Sequence, residues 1–128
     1  MSQQSGTTRQ EVNHIATGHE GESLAVAYLQ QRGFTILARN WRCREGELDI
    51  VANDRDAIVA VEVKTRRGLG YGAPLESITY LKARRLRRLL ALWLREHNRN
   101  SRRIRIDAVG IILRNEREPQ IQHVEGVA

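Results

Sequence analysis

Asp49, Glu62 and Lys64 are the residues best placed to do chemistry, and all lie in the stretch from Gly46 to Lys64, GELDIVANDRDAIVAVEVK. Its period of two reads as a β-hairpin: Glu47 to Ala52, a polar turn at Asn53-Asp54-Arg55-Asp56, then Ala57 to Lys64. Alternation puts Glu47 and Asp49 on one face of the first strand and Leu48 and Ile50 on the other. In the second strand Glu62 and Lys64 share a face, opposite Val59, Val61 and Val63. Pairing Ala52 with Ala57 sets Asp49 against Ala60 and Glu47 against Glu62, so the acidic faces coincide and the apolar faces meet. A slip of one residue would turn Asp49 onto the valines, which burial forbids. Asp49 and Glu62 then become diagonal neighbours, roughly 7–8 Å apart at the backbone. Two carboxylates beside a lysine repel one another unless a cation lies between them, which is the pattern of an oxygen-ligated metal site. An E-x-K at a strand end is more often the solvated face of an edge strand. The interior character of AIVAV, the face of Asp49 and a third carboxylate upstream weigh against that plainer reading.

The third carboxylate is Glu22. A first helix is expected from Thr17 to about Arg32, with Glu20 completing a capping box and Gly33 ending it. Its apolar arc runs through Leu24, Ala25, Val26, Tyr28 and Leu29, and Glu22 falls inside it. There Glu22 is either a residue complementing the helix dipole at the rim or a ligand aimed at a site. Gly21 beside it leaves room for a backbone or a substrate to approach. His19 is read as a surface residue, and lone Cys43 as a packing residue.

The elements that must position these groups follow in order. Residues 1–16 read as a flexible tail and 17–128 as a single domain. Phe34 to Trp41 forms a strand, the hairpin follows, and the glycine-spaced stretch Thr65 to Pro74 is a mobile loop rather than a phosphate cradle. Arg66, Arg67 and Tyr71 in that loop suit phosphate contact and base stacking, or simply an ordinary loop. A second helix spans Ser77 or Thr79 to His97, with Ala83, Leu86, Leu89, Leu90, Trp93 and Leu94 on its apolar arc. Arg84, Arg85, Arg87, Arg88 and Arg95 lie outside that arc, equally readable as a phosphate-tracking surface or a solvated face. Lys82 falls inside it at the first turn, aimed at the end of the sheet that carries Glu62. Strands Ile104–Leu113, with Asp107 as its one acidic residue, and Ile121–Val124 close the chain. The order is α-β-β-β-α-β-β, an antiparallel meander and a right-handed helical crossover to a parallel fourth strand. The fold class is α/β, a mixed sheet flanked by helices.

Composition narrows the setting. A chain of 128 residues with 41% hydrophobic and 28% charged residues forms one soluble domain with a single core. A net charge of +6 and a pI near 10.4 point to an acidic partner, nucleic acid before membrane. One cysteine excludes an internal disulfide, and no run approaches transmembrane length, so a cytoplasmic location is expected.

Gly21-Glu22, Asn40-Trp41-Arg42, Gly46-Glu47-Leu48-Asp49-Ile50 and Val61-Glu62-Val63-Lys64-Thr65-Arg66 together resemble the YraN-like family of bacterial proteins, across about Gly18 to Leu113. By similarity that family belongs with the restriction-endonuclease-like superfamily and its PD-(D/E)XK signature, nearest in look to archaeal Holliday-junction resolvases. The resemblance implies an αβββαβ core with an extra C-terminal strand. It implies that Asp49, Glu62 and Lys64 take the places of the motif's aspartate, second acid and lysine, and Glu22 that of the helix-one glutamate. Leu48 stands where the motif has proline. The activity implied is Mg²⁺- or Mn²⁺-dependent hydrolysis of DNA, in preference to RNA, and branched or junction DNA in particular. Glu22, Asp49 and Glu62 would hold the metal, and Arg66, Arg67, Tyr71, Lys82, Arg84, Arg85 and Arg88 the nucleic acid. A junction-cleaving enzyme would act as a homodimer. The alternative is an inactive nucleic-acid-binding protein of the same fold.

Overall fold

The computed structural model describes residues 9–68, 78–101 and 103–127, with side chains from residue 18 onward. Five strands form one sheet in the order β1 (Thr35–Cys43), β2 (Gly46–Asp54), β3 (Ala57–Arg67), β4 (Arg103–Leu113) and β5 (Gln120–Val124). The β1–β2, β2–β3 and β4–β5 pairs are antiparallel and β3–β4 is parallel, the crossover being made by α2 (Tyr80–Glu96). The sheet is therefore mixed, with the central β3 hydrogen-bonded on both sides.

One helix covers each face. α1 (Arg9–Gln31) lays Ala25 and Leu29 on Ile50, Val59, Val61, Val109 and Ile111. α2 lays Leu86, Leu89, Leu90 and Trp93 on Leu48, Val51, Ile58, Ala60 and Ile106. Thr79 caps α2, its hydroxyl accepting the backbone N–H of Lys82 at 3.1 Å. α1 begins at Arg9, so residues 9–16 are helical rather than tail and Thr17 lies inside the helix instead of capping it. No proline or glycine stands between Arg9 and Thr17 to stop the helix there. Among the described residues no helix is long and apolar enough to cross a membrane.

The hairpin register differs from the sequence expectation. Ala52 pairs with Val59 rather than Ala57, and Asp54 pairs with Ala57. The turn shrinks to Arg55-Asp56, with Arg55 at φ 59°. Asn53 and Asp54 stay in the ladder because each has a partner there: Asn53 donates to the Arg55 carbonyl, and Asp54 pairs with Arg105 of β4 at 2.9 Å. A shift of two residues preserves the faces, since side-chain direction repeats with that period. Its effect is to carry Asp49 level with Glu62.

Candidate active site

Alternation breaks at Asp49. Leu48 packs in the α2 layer and Ile50 in the α1 layer, although strict pleating would put both on one face. Asp49 between them belongs to neither face. The β2–β3 ladder ends at Ile50–Val61, and the Asp49 carboxylate accepts the next available donor, the Val63 N–H, at 2.9 Å. From that in-plane position its side chain also hydrogen-bonds Glu62. Glu62 is 8% exposed on the α2 side of β3, where Lys82 reaches it at 2.6 Å. Lys64 and Lys82 line the same cavity, close enough for each to perturb the other's amine. These groups line a cavity of about 660 Å³ whose walls include Glu47, Leu81, Arg85 and Leu89. Gly46 at its edge has φ 153°, and a Cβ there would stand 3.1 Å from Leu89.

The electrostatics follow from this crowding. Burial, and then the hydrogen bond and charge of Glu62, push the Asp49 carboxyl up from 3.8 to about 8. Lys64 is held below the usual lysine range by its hydrogen bond with Lys82, by burial and by the Lys82 charge. Burial works against the Lys82 charge too, but the contacts with Glu62 and Lys64 outweigh it and raise its pKa. Burial and the neighbouring Glu62 charge oppose ionisation of Asp49, and two crowded carboxyl oxygen donors of this kind fit a hard divalent cation.

Glu22 stands on the other side of Asp49. Its Oε1 accepts two bonds from Arg39, at 3.1 and 3.2 Å, and one from Asn40 at 2.8 Å. Two successive strand residues can reach one carboxylate because Asn40 takes a left-handed conformation, φ 53°. Arg39 pairs with Ile50 and Trp41 with Leu48, so Asn40 lies directly across from the break at Asp49. A second cavity, of about 300 Å³, is lined by His19, Glu22, Asn40, Arg42 and Thr65. Glu47, Asp49, Val63 and Lys64 line both cavities. Gly21 admits Thr65: a Cβ there would lie 1.9 Å from Thr65 Oγ1.

Asp49, Glu62 and Lys64 are thus brought together, whereas Glu22 faces the adjoining cavity. Among the described residues, the three ligand-type atoms that all lie within 4.8 Å of one another belong to Asp107, His123 and Glu125 instead.

Residues 21–111 match the family described as "Uncharacterised protein family UPF0102". The chain belongs to this family. It is 50% identical over 112 residues to a UPF0102 protein of Rhodococcus opacus, covering 88% of this chain and 95% of that one. A UPF0102 protein of Acidothermus cellulolyticus is 51% identical over 121 residues, covering 87% and 92%. One of Mycobacterium avium is 47% identical over 123 residues, covering 94% and 96%. The UPF0102 match takes in Glu22, Asp49, Glu62, Lys64 and Lys82, and ends before His123.

The basic residues of this UPF0102 chain divide by position. Lys82 and Arg85 line the larger cavity, and Arg85 also donates to the Glu45 carbonyl at 3.2 Å. Arg66 bonds the Thr65 carbonyl, and Arg67 pairs with Glu20 at 3.1 Å. Arg84 lies over the Tyr80 ring, and Arg88 holds Glu45, both outside the cavity walls. Tyr71 and most of the glycine-spaced loop lie outside the described residues. His19 is exposed, and Cys43 is half-buried against the α2 layer.

Sequence reasoning missed Arg39, Asn40 and Thr65 as the groups fixing Glu22 and Gly21. The resemblance includes Asn40-Trp41-Arg42 but assigns it no role. It also missed the size of the network around Asp107, which is fully buried and bonded by Arg105, His123 and the Gly126 N–H. Burial alone would raise Asp107, but the bonds from His123, Arg105 and Gly126 hold it below the usual range. His123 in turn meets Tyr28 Oη at 3.2 Å, tying β5 to α1. This network is a structural clasp between β4, β5 and α1.

Proposed function

We propose that this UPF0102 protein is a divalent-cation-dependent nuclease hydrolysing phosphodiester bonds of DNA. The observation that carries the reading is the pair Asp49–Glu62, two carboxyl groups converging beside Lys64 in an open, lysine- and arginine-rimmed cavity. Asp49 and Glu62 would hold Mg²⁺ or Mn²⁺, with Glu22 reached through the adjoining cavity. Bound there, the cation supplies Lewis acidity toward a phosphate oxygen and a water of lowered pKa.

The remaining work falls to the chain. The Val63 N–H fixes the Asp49 carboxylate in the plane of the sheet, so the ligand does not swing away when it ionises. Lys64, two residues from Glu62 on β3, orients the attacking water or stabilises charge developing on the phosphate. Arg85 at the rim, with Arg66, Arg67 and Arg84 beyond it, offers the positive field that draws in a phosphate backbone.

The second reading, a non-catalytic nucleic-acid binder, is favoured by one observation. The Lys82 ammonium at 2.6 Å neutralises the Glu62 carboxylate, as a purely structural ion pair would. Incubation with Mg²⁺ or Mn²⁺ and linear, flapped and four-way DNA separates the two. Cleavage that needs the metal and is lost in Asp49→Asn supports the enzyme. Salt-sensitive binding with no cleavage of any substrate supports the binder.

A further inference from the structure

Of the chain's 21 basic residues only Lys64 and Lys82 are lysines, and both line the same cavity. The other carboxylate ion pairs among the described residues use arginine or histidine, as in Arg39–Glu22, Arg88–Glu45 and Arg105–Asp107. Only Glu62, with its side chain 9% exposed, is met by an ammonium, the Lys82 Nζ at 2.6 Å. A guanidinium is planar and holds a carboxylate through a rigid fork, whereas an ammonium is a compact point charge on a flexible stem. In size and charge distribution it is the side chain nearest to a bare cation. Removing the partner of a buried charge is strongly destabilising, and Lys82 is the cationic partner that Glu62 has.

The position of Lys82 suits a temporary occupant. It comes from α2, not from the sheet that carries Asp49 and Glu62, and its own side chain is 34% exposed. Its backbone is anchored by the Thr79 cap, so only the stem has to move.

We infer that Lys82 is a resident counter-ion, holding Glu62 in the cation-free protein and displaced toward solvent when a divalent cation takes the Asp49–Glu62 pair. This rests on the reading of that pair as cation ligands. Cation and ammonium compete for one oxygen, because two positive groups cannot share it without repulsion. Lys82 therefore sets the threshold for cation loading while keeping the empty site folded.

The test is Mn²⁺ binding to the full chain by titration calorimetry, without nucleic acid, for the wild type and Lys82→Met. Methionine keeps much of the stem and removes the competitor. The variant should bind Mn²⁺ tighter by roughly ten- to a hundredfold, the factor that a charge-assisted hydrogen bond contributes. A second measurement uses the wild type alone and does not depend on the variant folding. The rate of Lys82 acetylation by excess reagent, read by peptide mass spectrometry, should rise several-fold when Mn²⁺ is added. Mn²⁺ binding by the wild type with no gain in Lys82→Met and no change in Lys82 labelling overturns the counter-ion role alone. A wild type that binds no Mn²⁺ overturns the cation site and this inference together.

Discussion

The carboxylate of Asp49 accepts the backbone N–H of Val63 at 2.9 Å, filling the place of the β2 carbonyl that the ladder would otherwise supply. A side chain doing a backbone's work cannot also obey the pleat, which is why Leu48 and Ile50 fall on opposite layers around it. The same position opens Asp49 to both cavities. The irregularity is thus what places an acid between the two halves of the site.

The protonation of Asp49 gives a pH signature. Its folded pKa, about 8, lies above its ordinary 3.8, so folding takes up a proton between those values. Linkage then makes the metal-free protein lose stability as pH rises from about 4 to about 8, with the full penalty present above that. Thermal melts in chelator across this range should show the decline in the wild type. Asp49→Asn, which cannot ionise, should flatten it. An equally steep decline in the variant would place the titrating group elsewhere.

Much of this site was legible because face and register are separate problems. Alternation assigned Glu62 and Lys64 to one face, and a two-residue slip of the hairpin left that assignment intact. The helical wheel likewise aimed Lys82 at the sheet end, since α2 is regular from its Thr79 cap onward. What the pattern could not contain were its own violations. Asn40 and Arg55 hold positive φ without being glycine, so no glycine signalled the left-handed residue opposite Asp49 or the tight turn. Asp107 and His123 are 16 residues apart, and their contact is a product of β4–β5 pairing, not of spacing.

Gly21 and Thr65 form a contact that can be dissected. Gly21→Ala places a methyl 1.9 Å from Thr65 Oγ1, so α1 must move off β3, at a cost of about 1–3 kcal/mol. Adding Thr65→Ala should recover part of that loss, because the Thr65 Cβ at 2.8 Å still obstructs. Urea denaturation of both singles and the double variant gives the coupling. Additive effects would show that the contact with Thr65 does not decide the position, since helix propensity alone would favour alanine there.

The Asp107 clasp predicts a stability effect confined to the fold. Asp107→Ala removes the buried carboxylate that Arg105 and His123 share, leaving Arg105 its pair with Asp54, and should cost about 1–3 kcal/mol in denaturant unfolding. Because wild-type Asp107 is held below its usual pKa, its contribution is present above about pH 4 and lost as acid protonates it. Mn²⁺ binding at pH 7 should be unchanged in whatever fraction remains folded. A shift in that affinity would make the network part of the site.

Arginines at the cavity should differ from arginines that are merely exposed. Arg85 lines the larger cavity, so Arg85→Ala should lower the slope of log K against log salt by about one unit and weaken binding to all sequences alike. Arg66→Ala with Arg67→Ala should lower it further if both meet phosphate. Fluorescence anisotropy on a short duplex, across a salt series, measures each slope. Unchanged slopes would return these residues to ordinary solvated surface.

Lys64 and Asp49 separate chemistry from binding most directly. In the proposed nuclease Lys64 would meet the reacting phosphate or its water and take no place among the cation's ligands, so Lys64→Ala should slow cleavage by roughly 10²–10³-fold. Its Mn²⁺ affinity should stay near that of the wild type. Asp49→Asn should instead lose both cation affinity and cleavage, because the amide cannot supply the charge that anchors the metal. DNA binding in chelator should survive in both variants. Single-turnover cleavage and calorimetry on the same preparations test this pattern. If the wild type and Asp49→Asn cleave equally, the activity belongs to a contaminant, and the protein is a binder whose acids serve only its fold.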